Sequence, residues 1–137
     1  MCEYLSQDYD IGDEVSSTYE GRHVTVASAD VSYPATWDSG DILIIGENLA
    51  GVALNDDSGD YVTIDTEGIW CLGVSESVTL GDQLYLNPAD PDDLGDTIHA
   101  NYIPFGIALT DATYSSVLVA CVVKVHVHPA VQGGSLS

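Results

Sequence analysis

A six-residue phrase occurs twice in this chain, as Gly51-Val52-Ala53-Leu54-Asn55-Asp56 and as Gly106-Ile107-Ala108-Leu109-Thr110-Asp111. Upstream of each copy stands a second matching phrase, Gly40-Asp41-Ile42-Leu43-Ile44-Ile45 and Gly81-Asp82-Gln83-Leu84-Tyr85-Leu86. Order and composition both recur, so one strand-turn-strand unit is used twice. Two copies are too few for a solenoid, whose units need neighbours to cover them and which requires three or more. At 137 residues one domain fits, and folding at about that length buries roughly two-thirds of the unfolded surface, enough for a self-supporting core. The expectation is an all-β domain: a small antiparallel β-barrel with an internal pseudo-repeat.

The chain divides on the same reading into an extended N-terminal arm (1–21), a β-barrel (22–128) and a short flexible C-terminal tail (129–137). The arm is polar and acidic, is dotted with Tyr4, Tyr9 and Tyr19, and shows no period that commits it to helix or strand. Alternation begins at His23-Val24-Thr25-Val26-Ala27, where Val24 and Val26 share a face. Tyr61 to Thr66 alternates again, and Gly68 separates it from the strand candidate Ile69-Trp70-Cys71-Leu72. The stretch from Asn87 to Asp96, with Pro88, Pro91 and four aspartates, reads as an expanded loop. From Val117 to Val127 runs the longest strand candidate, apolar throughout its first half and alternating in its second, so its surroundings change midway. Val74 to Leu80 allows a single helical turn at most.

Charge narrows the function classes. Against 22 acidic residues the chain sets only Arg22 and Lys124, for a formal net charge of −20, while 45% of residues remain hydrophobic. The core material is therefore intact and disorder is excluded. Two cations cannot displace enough counterions to bind nucleic acid through phosphates, and an anionic lipid surface is excluded likewise. Mimicry of nucleic acid requires acids laid along one face, whereas Asp56, Asp57, Asp60, Asp82, Asp90, Asp92, Asp93 and Asp96 are scattered through turn-like segments. Scatter, with aspartate dominant and lysine almost absent, fits a halophilic setting, in which molar salt shortens the screening length to about 3 Å and the carboxylates hold hydrated cations. Cys2, Cys71 and Cys121 lack CxxC spacing and read as small buried hydrophobes. The N-terminus has neither a basic region nor an apolar stretch of signal type, and no run is long enough to span a membrane, so synthesis and folding in a cytoplasm are expected.

Few motifs carry chemistry. His126-x-His128 places two imidazoles about 7 Å apart on one strand face, which suits a cation, but the further ligands that zinc or iron needs are not indicated by any spacing. A cytoplasmic metal-binding barrel of enzymatic or sensory type, built on His126 and His128, is thus the alternative from another class. Lys124 with these two histidines also concentrates the scarce basic potential, which marks the face as a candidate subunit contact. No nucleophile elbow, HExxH motif or phosphate-binding loop occurs, and no catalytic residue or cofactor is expected. Gly12-Asp13-Glu14 and Asp90 to Asp93 lack the order of a calcium loop. Trp70 stands in an apolar strand and reads as core; Trp37, beside a polar turn, is the better interface candidate.

The phrases Gly40-Asp41-x-Leu43, Gly51-Val52-Ala53, Thr66-Glu67-Gly68-Ile69-Trp70, Gly81-Asp82-x-Leu84-Tyr85 and Pro104-x-Gly106-Ile107-Ala108 together resemble the small capsid decoration, or cement, proteins of tailed phages, a group sometimes mislabelled as a RecA/RadA-like recombinase. The resemblance covers roughly Arg22 to Val125. It implies a compact, β-tulip-like barrel that forms a homotrimer at or near three-fold positions on the outside of an icosahedral head, bridges major capsid proteins and has no enzymatic activity. A partner surface is then expected on the arm and edges, at Tyr4, Leu5, Tyr9, Ile11, Trp37, Lys124, His126 and His128. With the acidity, the resemblance points to the virion of a haloarchaeal tailed virus. A glycan- or receptor-binding knob on a surface fibre is the remaining alternative.

Overall fold

The computed structural model describes residues 2–4, 7–16, 23–46 and 49–127, with side chains for 8–13, 23–46 and 49–127. The chain is all-β there, as expected, with a single 3-10 turn at Ser28–Asp30. Thirteen strands follow in order: β1 (Cys2–Tyr4), β2 (Gln7–Tyr9), β3 (Glu14–Ser16), β4 (His23–Ala27), β5 (Val31–Tyr33), β6 (Ile42–Ile45), β7 (Leu49–Ala53), β8 (Tyr61–Asp65), β9 (Ile69–Val74), β10 (Gln83–Asn87), β11 (Asp90–Gly95), β12 (Ile103–Ala108) and β13 (Val119–Val125). They form a six-stranded sheet in the order β11-β10-β12-β13-β9-β3, a five-stranded sheet in the order β4-β8-β7-β6-β5, and the hairpin β1-β2. All pairings are antiparallel.

The repeated phrases build these sheets in a specific way. Gly40 N–H donates to Ala53 O at 2.8 Å, Ala53 N–H donates back to Asp41 O at 2.8 Å, and Ile42 stands opposite Val52. The second copy is the same: Gly81 N–H to Ala108 O at 2.8 Å, Ala108 N–H to Asp82 O at 2.9 Å, and Gln83 opposite Ile107. A third copy, not anticipated from the sequence, lies in the supposed arm. Gly12 N–H donates to Cys71 O at 2.7 Å, Cys71 N–H to Asp13 O at 2.9 Å, and Glu14 stands opposite Trp70. In each turn the aspartate carboxylate accepts from the backbone N–H three residues earlier: Asp13 from Asp10 at 2.8 Å, Asp41 from Asp38 at 2.9 Å, Asp82 from Thr79 at 2.9 Å. The three glycines have φ of +94°, +96° and +94°, a region closed to most side chains, and so the Gly-Asp order recurs.

The second repeated phrase needs glycine for a different reason. A Cβ on Gly51 would lie 2.9 Å from Asp65 O, and one on Gly106 would overlap Lys124 O, because the next strand passes too close.

The main core fills the space between the two sheets, with Ile42, Ile44 and Val52 on one side and Trp70, Leu72, Leu84, Leu86, Phe105 and Val123 among those on the other. Leu43, Val62 and Ile64 point the opposite way, into a second core closed by Trp37. Both edge strands of the five-stranded sheet contribute to it, Val24 and Val26 from β4 and Val31 from β5, so the sheet bends around this cluster. Burial of both faces explains the unbroken apolar run Ile42 to Ile45. The ladders of the two sheets are separate among the described residues, and the result is a barrel-like sandwich.

Two segments and one cysteine differ from their sequence-based reading. Residues 90–95 form a strand rather than a loop: Asp90 and Asp92 face solvent, Leu94 enters the core, and β11 occupies a sheet edge, where proline and charge do not interrupt a ladder. Residues 2–16 contain three short strands, the last of which joins the six-stranded sheet beside β9. Cys71 is disulfide-bonded to a partner outside the residues whose side chains are described, whereas Cys121 is a buried free thiol. The mid-strand change in β13 follows from the same folding back, since Val122 on its outer face, with Cys71 beside it on β9, is covered by Tyr9, while Lys124 farther along is exposed.

Candidate functional site

The expected interface residues fall into separate places. Tyr9 is half-buried against Cys71 and Val122, which makes it part of the packing as well as of the surface. Ile11 occupies the tip of the first Gly-Asp turn and is 50% exposed. Lys124 projects from the outer face of β13, and His126 just beyond it lies 3.8 Å from the Glu67 carboxylate by its Nδ1. Tyr4 belongs to β1, but its side chain lies outside the described set, as do Leu5 and His128 entirely. The pairing of His126 with His128 therefore has no described geometry. Among the described residues no group of three His, Cys, Asp or Glu side chains is arranged to hold a metal.

Trp37 is the clearest departure. It is 6% exposed, sits inside the second core, and its buried Nε1 has no hydrogen-bond partner among the described residues. Its position beside a polar turn suggested exposure, yet a second turn, between β7 and β8, reaches it: Asp57 N–H donates to Trp37 O at 3.1 Å. Trp70 is core, and more than packing. Its Nε1 donates at 3.0 Å to Oδ2 of Asp65, a fully buried carboxylate whose Oδ1 accepts the Glu67 N–H at 3.1 Å. A Cβ on Gly68 would strike this carboxylate. The sequence Asp65-Thr66-Glu67-Gly68-Ile69-Trp70 is thus a clasp joining β8 to β9; the phrase Thr66 to Trp70 is visible in the sequence, whereas the burial of the acid before it is not.

The acids, read from sequence as solvated turn groups, divide into two kinds. Many build the structure: besides the three turn aspartates, Asp56 accepts from Ser39 N–H at 2.7 Å and Asp111 from Leu80 N–H at 2.8 Å. Asp93 accepts from Ser75 Oγ at 3.1 Å, Asn87 Nδ2 at 3.1 Å and Tyr102 Oη at 2.9 Å. Burial, with that bond to Asp93, holds the Tyr102 phenol above its usual range. Beside the third turn, Glu76 takes the N–H and hydroxyl of Thr97 at 2.8 and 2.9 Å. Desolvation, then a hydrogen bond to Asp82 and the Glu76 charge, raise the nearby Asp96 above the usual carboxylate range. Such groups hold loops, and Asp82 and Asp96 also line a shallow cavity of about 250 Å³ with Gln83, Tyr85 and Ile98.

Among the described residues the acids thus serve a two-core β scaffold. The turn at Gly12 and the buried bond between Asp65 and Trp70 were missed by sequence reasoning, although Asp10-x-Gly-Asp13 repeats Asp38-x-Gly-Asp41 and was available to find the former. No curated protein and no solved structure matches the chain. A protein-family model does, over residues 21–125, and its description is phage cement protein.

Proposed function

The chain belongs to the phage cement protein family, and from that premise we propose that it decorates the outer surface of an icosahedral head as a homotrimer at or near three-fold positions, bridging major capsid proteins. A structural role in stabilising the capsid comes with the family; trimer, position and bridging are the proposal. The observation that supports it is the agreement between the family match and the architecture. Residues 21–125 take in the second and third Gly-Asp turns, both cores and the Asp65 clasp, which together make a stiff body suited to carrying contacts across a seam. Many copies, each with a modest interface, hold by avidity. The acidity is read as an adaptation of the shell to brine, with hydrated cations over the surface, in the virion of a halophilic host.

Imaging heads assembled with and without this protein tests the proposal. Added density at three-fold positions, present only with the protein, is the expected result; density elsewhere, or none, rejects it. Sedimentation of the free protein across a salt series checks the trimer, which is expected to strengthen as salt screens self-repulsion.

A further inference from the structure

The first two Gly-Asp turns meet back to back. A Cβ on Gly40 would collide with Gly12 O and lie 2.8 Å from Gly12 Cα, so the turns touch through their backbones. The touching turns carry four aspartates, Asp10, Asp13, Asp38 and Asp41, of which Asp13 and Asp41 cap the N–H groups of Asp10 and Asp38. Beside them a cavity of about 230 Å³ opens between the two sheets. Ile42, Leu72 and Gly73 form its inner wall, Pro34 and Pro91 flank it, and Asp41 and Asp92 stand at its margin. Ile11 and Leu118 also line it. Both approach Gly73: a Cβ placed there would lie 3.5 Å from Ile11 Cδ1 and 3.2 Å from Leu118 Cδ1. Ile11, Leu118 and the neighbouring Val117 are 50%, 38% and 68% exposed.

We infer that this cleft is the docking point for a basic segment of the capsid protein, with one aliphatic or aromatic side chain seated between Ile11 and Leu118 and flanking lysine or arginine over the acidic margin. The inference rests on the capsid-binding reading. Size favours a side chain, because small-molecule pockets start at about 300 Å³. Charge selects the kind of partner. A second copy of this chain would bring a net charge of −20 and only two cations of its own, Arg22 and Lys124, too few to answer the carboxylates around the cleft. A basic capsid segment answers them in direct contact, at separations comparable with the roughly 3 Å screening length of molar salt.

The test uses full-length protein and heads of the encoding phage assembled without it. Binding is measured over a salt series for the wild type, I11S/L118S, V117S, D92K and Y61S, each checked for folding by circular dichroism and thermal melting. Tyr61 is 66% exposed and lies on β8, outside the cleft lining, so Y61S controls for loss of exposed apolar surface. I11S/L118S is expected to weaken binding by about tenfold or more, as for an anchor pair at an interface. D92K is expected to weaken it at low salt and flatten its salt dependence, and Y61S to leave it unchanged. Should the double variant melt early, V117S carries the apolar arm, with a smaller loss expected. Unchanged binding by the folded apolar variants overturns the cleft assignment while leaving the capsid reading intact. Failure of the wild type to bind heads removes that reading itself. Loss of self-association with full head binding gives the cleft to a second copy and overturns the inference.

Discussion

The turns at Gly40 and Gly81 share their backbone conformation and their hydrogen bonds, yet their surroundings are opposite. Gly40 is buried against the Gly12 turn, whereas a Cβ on Gly81 would meet nothing within 4 Å. The same sequence device therefore does two jobs. At Gly81 glycine is required by backbone conformation alone; at Gly40 it is required by conformation and by the close approach of a second chain segment. An internal repeat fixes local geometry, and the tertiary environment decides how much each copy matters.

Alanine scanning of the glycines separates the two requirements. G40A is expected to cost about 3 to 5 kcal/mol, combining strain at positive φ with a clash against backbone that has no rotamer to escape into. G81A has the strain without the clash, and about 1 to 2 kcal/mol is expected. G12A should resemble G81A, because a Cβ there would sit at an ordinary 3.6 Å from Gly40. Chemical denaturation at one fixed salt concentration gives all three values. Equal losses for G40A and G81A would mean that the stacked turns can separate at little cost.

The acid that supports each turn from the opposite strand gives a finer comparison. D56A removes the acceptor for Ser39 N–H and D111A the acceptor for Leu80 N–H. Each is expected to cost about 1 kcal/mol, the net worth of such a bond at an exposed site. D56A should be the more damaging, since its turn is also the support for the one at Gly12. A reversed order, read from the same denaturation curves, would locate the stiffer unit at Gly81.

These environments explain what the sequence revealed and what it hid. The doubled phrases were legible because positive φ and close strand approach leave glycine little competition, and because the turn aspartate must sit beside it. The third copy was hidden by its partner strand, Ile69-Trp70-Cys71-Leu72, in which Ile69 occupies the place held by Gly51 and Gly106 and so breaks the phrase. Strand β11 was hidden by its edge position, which tolerates the prolines and aspartates that mark loops elsewhere. Trp37 was misplaced for a tertiary reason: its neighbours in sequence are polar, but the bent five-stranded sheet closes over its ring. The all-β class and the repeat were written in local pattern, whereas the cleft beside Gly12 and Gly40 arises where segments far apart in sequence meet.

The smallest effect distinguishes the turns by pH. The Gly81 turn carries an acid cluster, in which Asp96 binds its proton more tightly than its usual 3.8 because of desolvation, the bond to Asp82 and the charge of Glu76. Below that value both folded and unfolded states hold the proton and the group is neutral to stability. As pH rises the unfolded chain releases the proton first, so stability falls through the window between the unfolded and folded pKa and stays lower above it. D96N should therefore stabilise the protein near neutrality and have no effect below about pH 3.8. Removing any one charge from a chain of −20 relieves general repulsion, so D60N, an exposed acid remote in sequence, supplies the baseline. The excess of D96N over D60N, measured from melting curves at several pH values in low salt, is the local contribution, and high salt should remove only the part due to the charges of Glu76 and Asp82. If the two variants track one another across the whole range, the cluster beside Gly81 has no local strain to relieve, and the turns differ by packing alone.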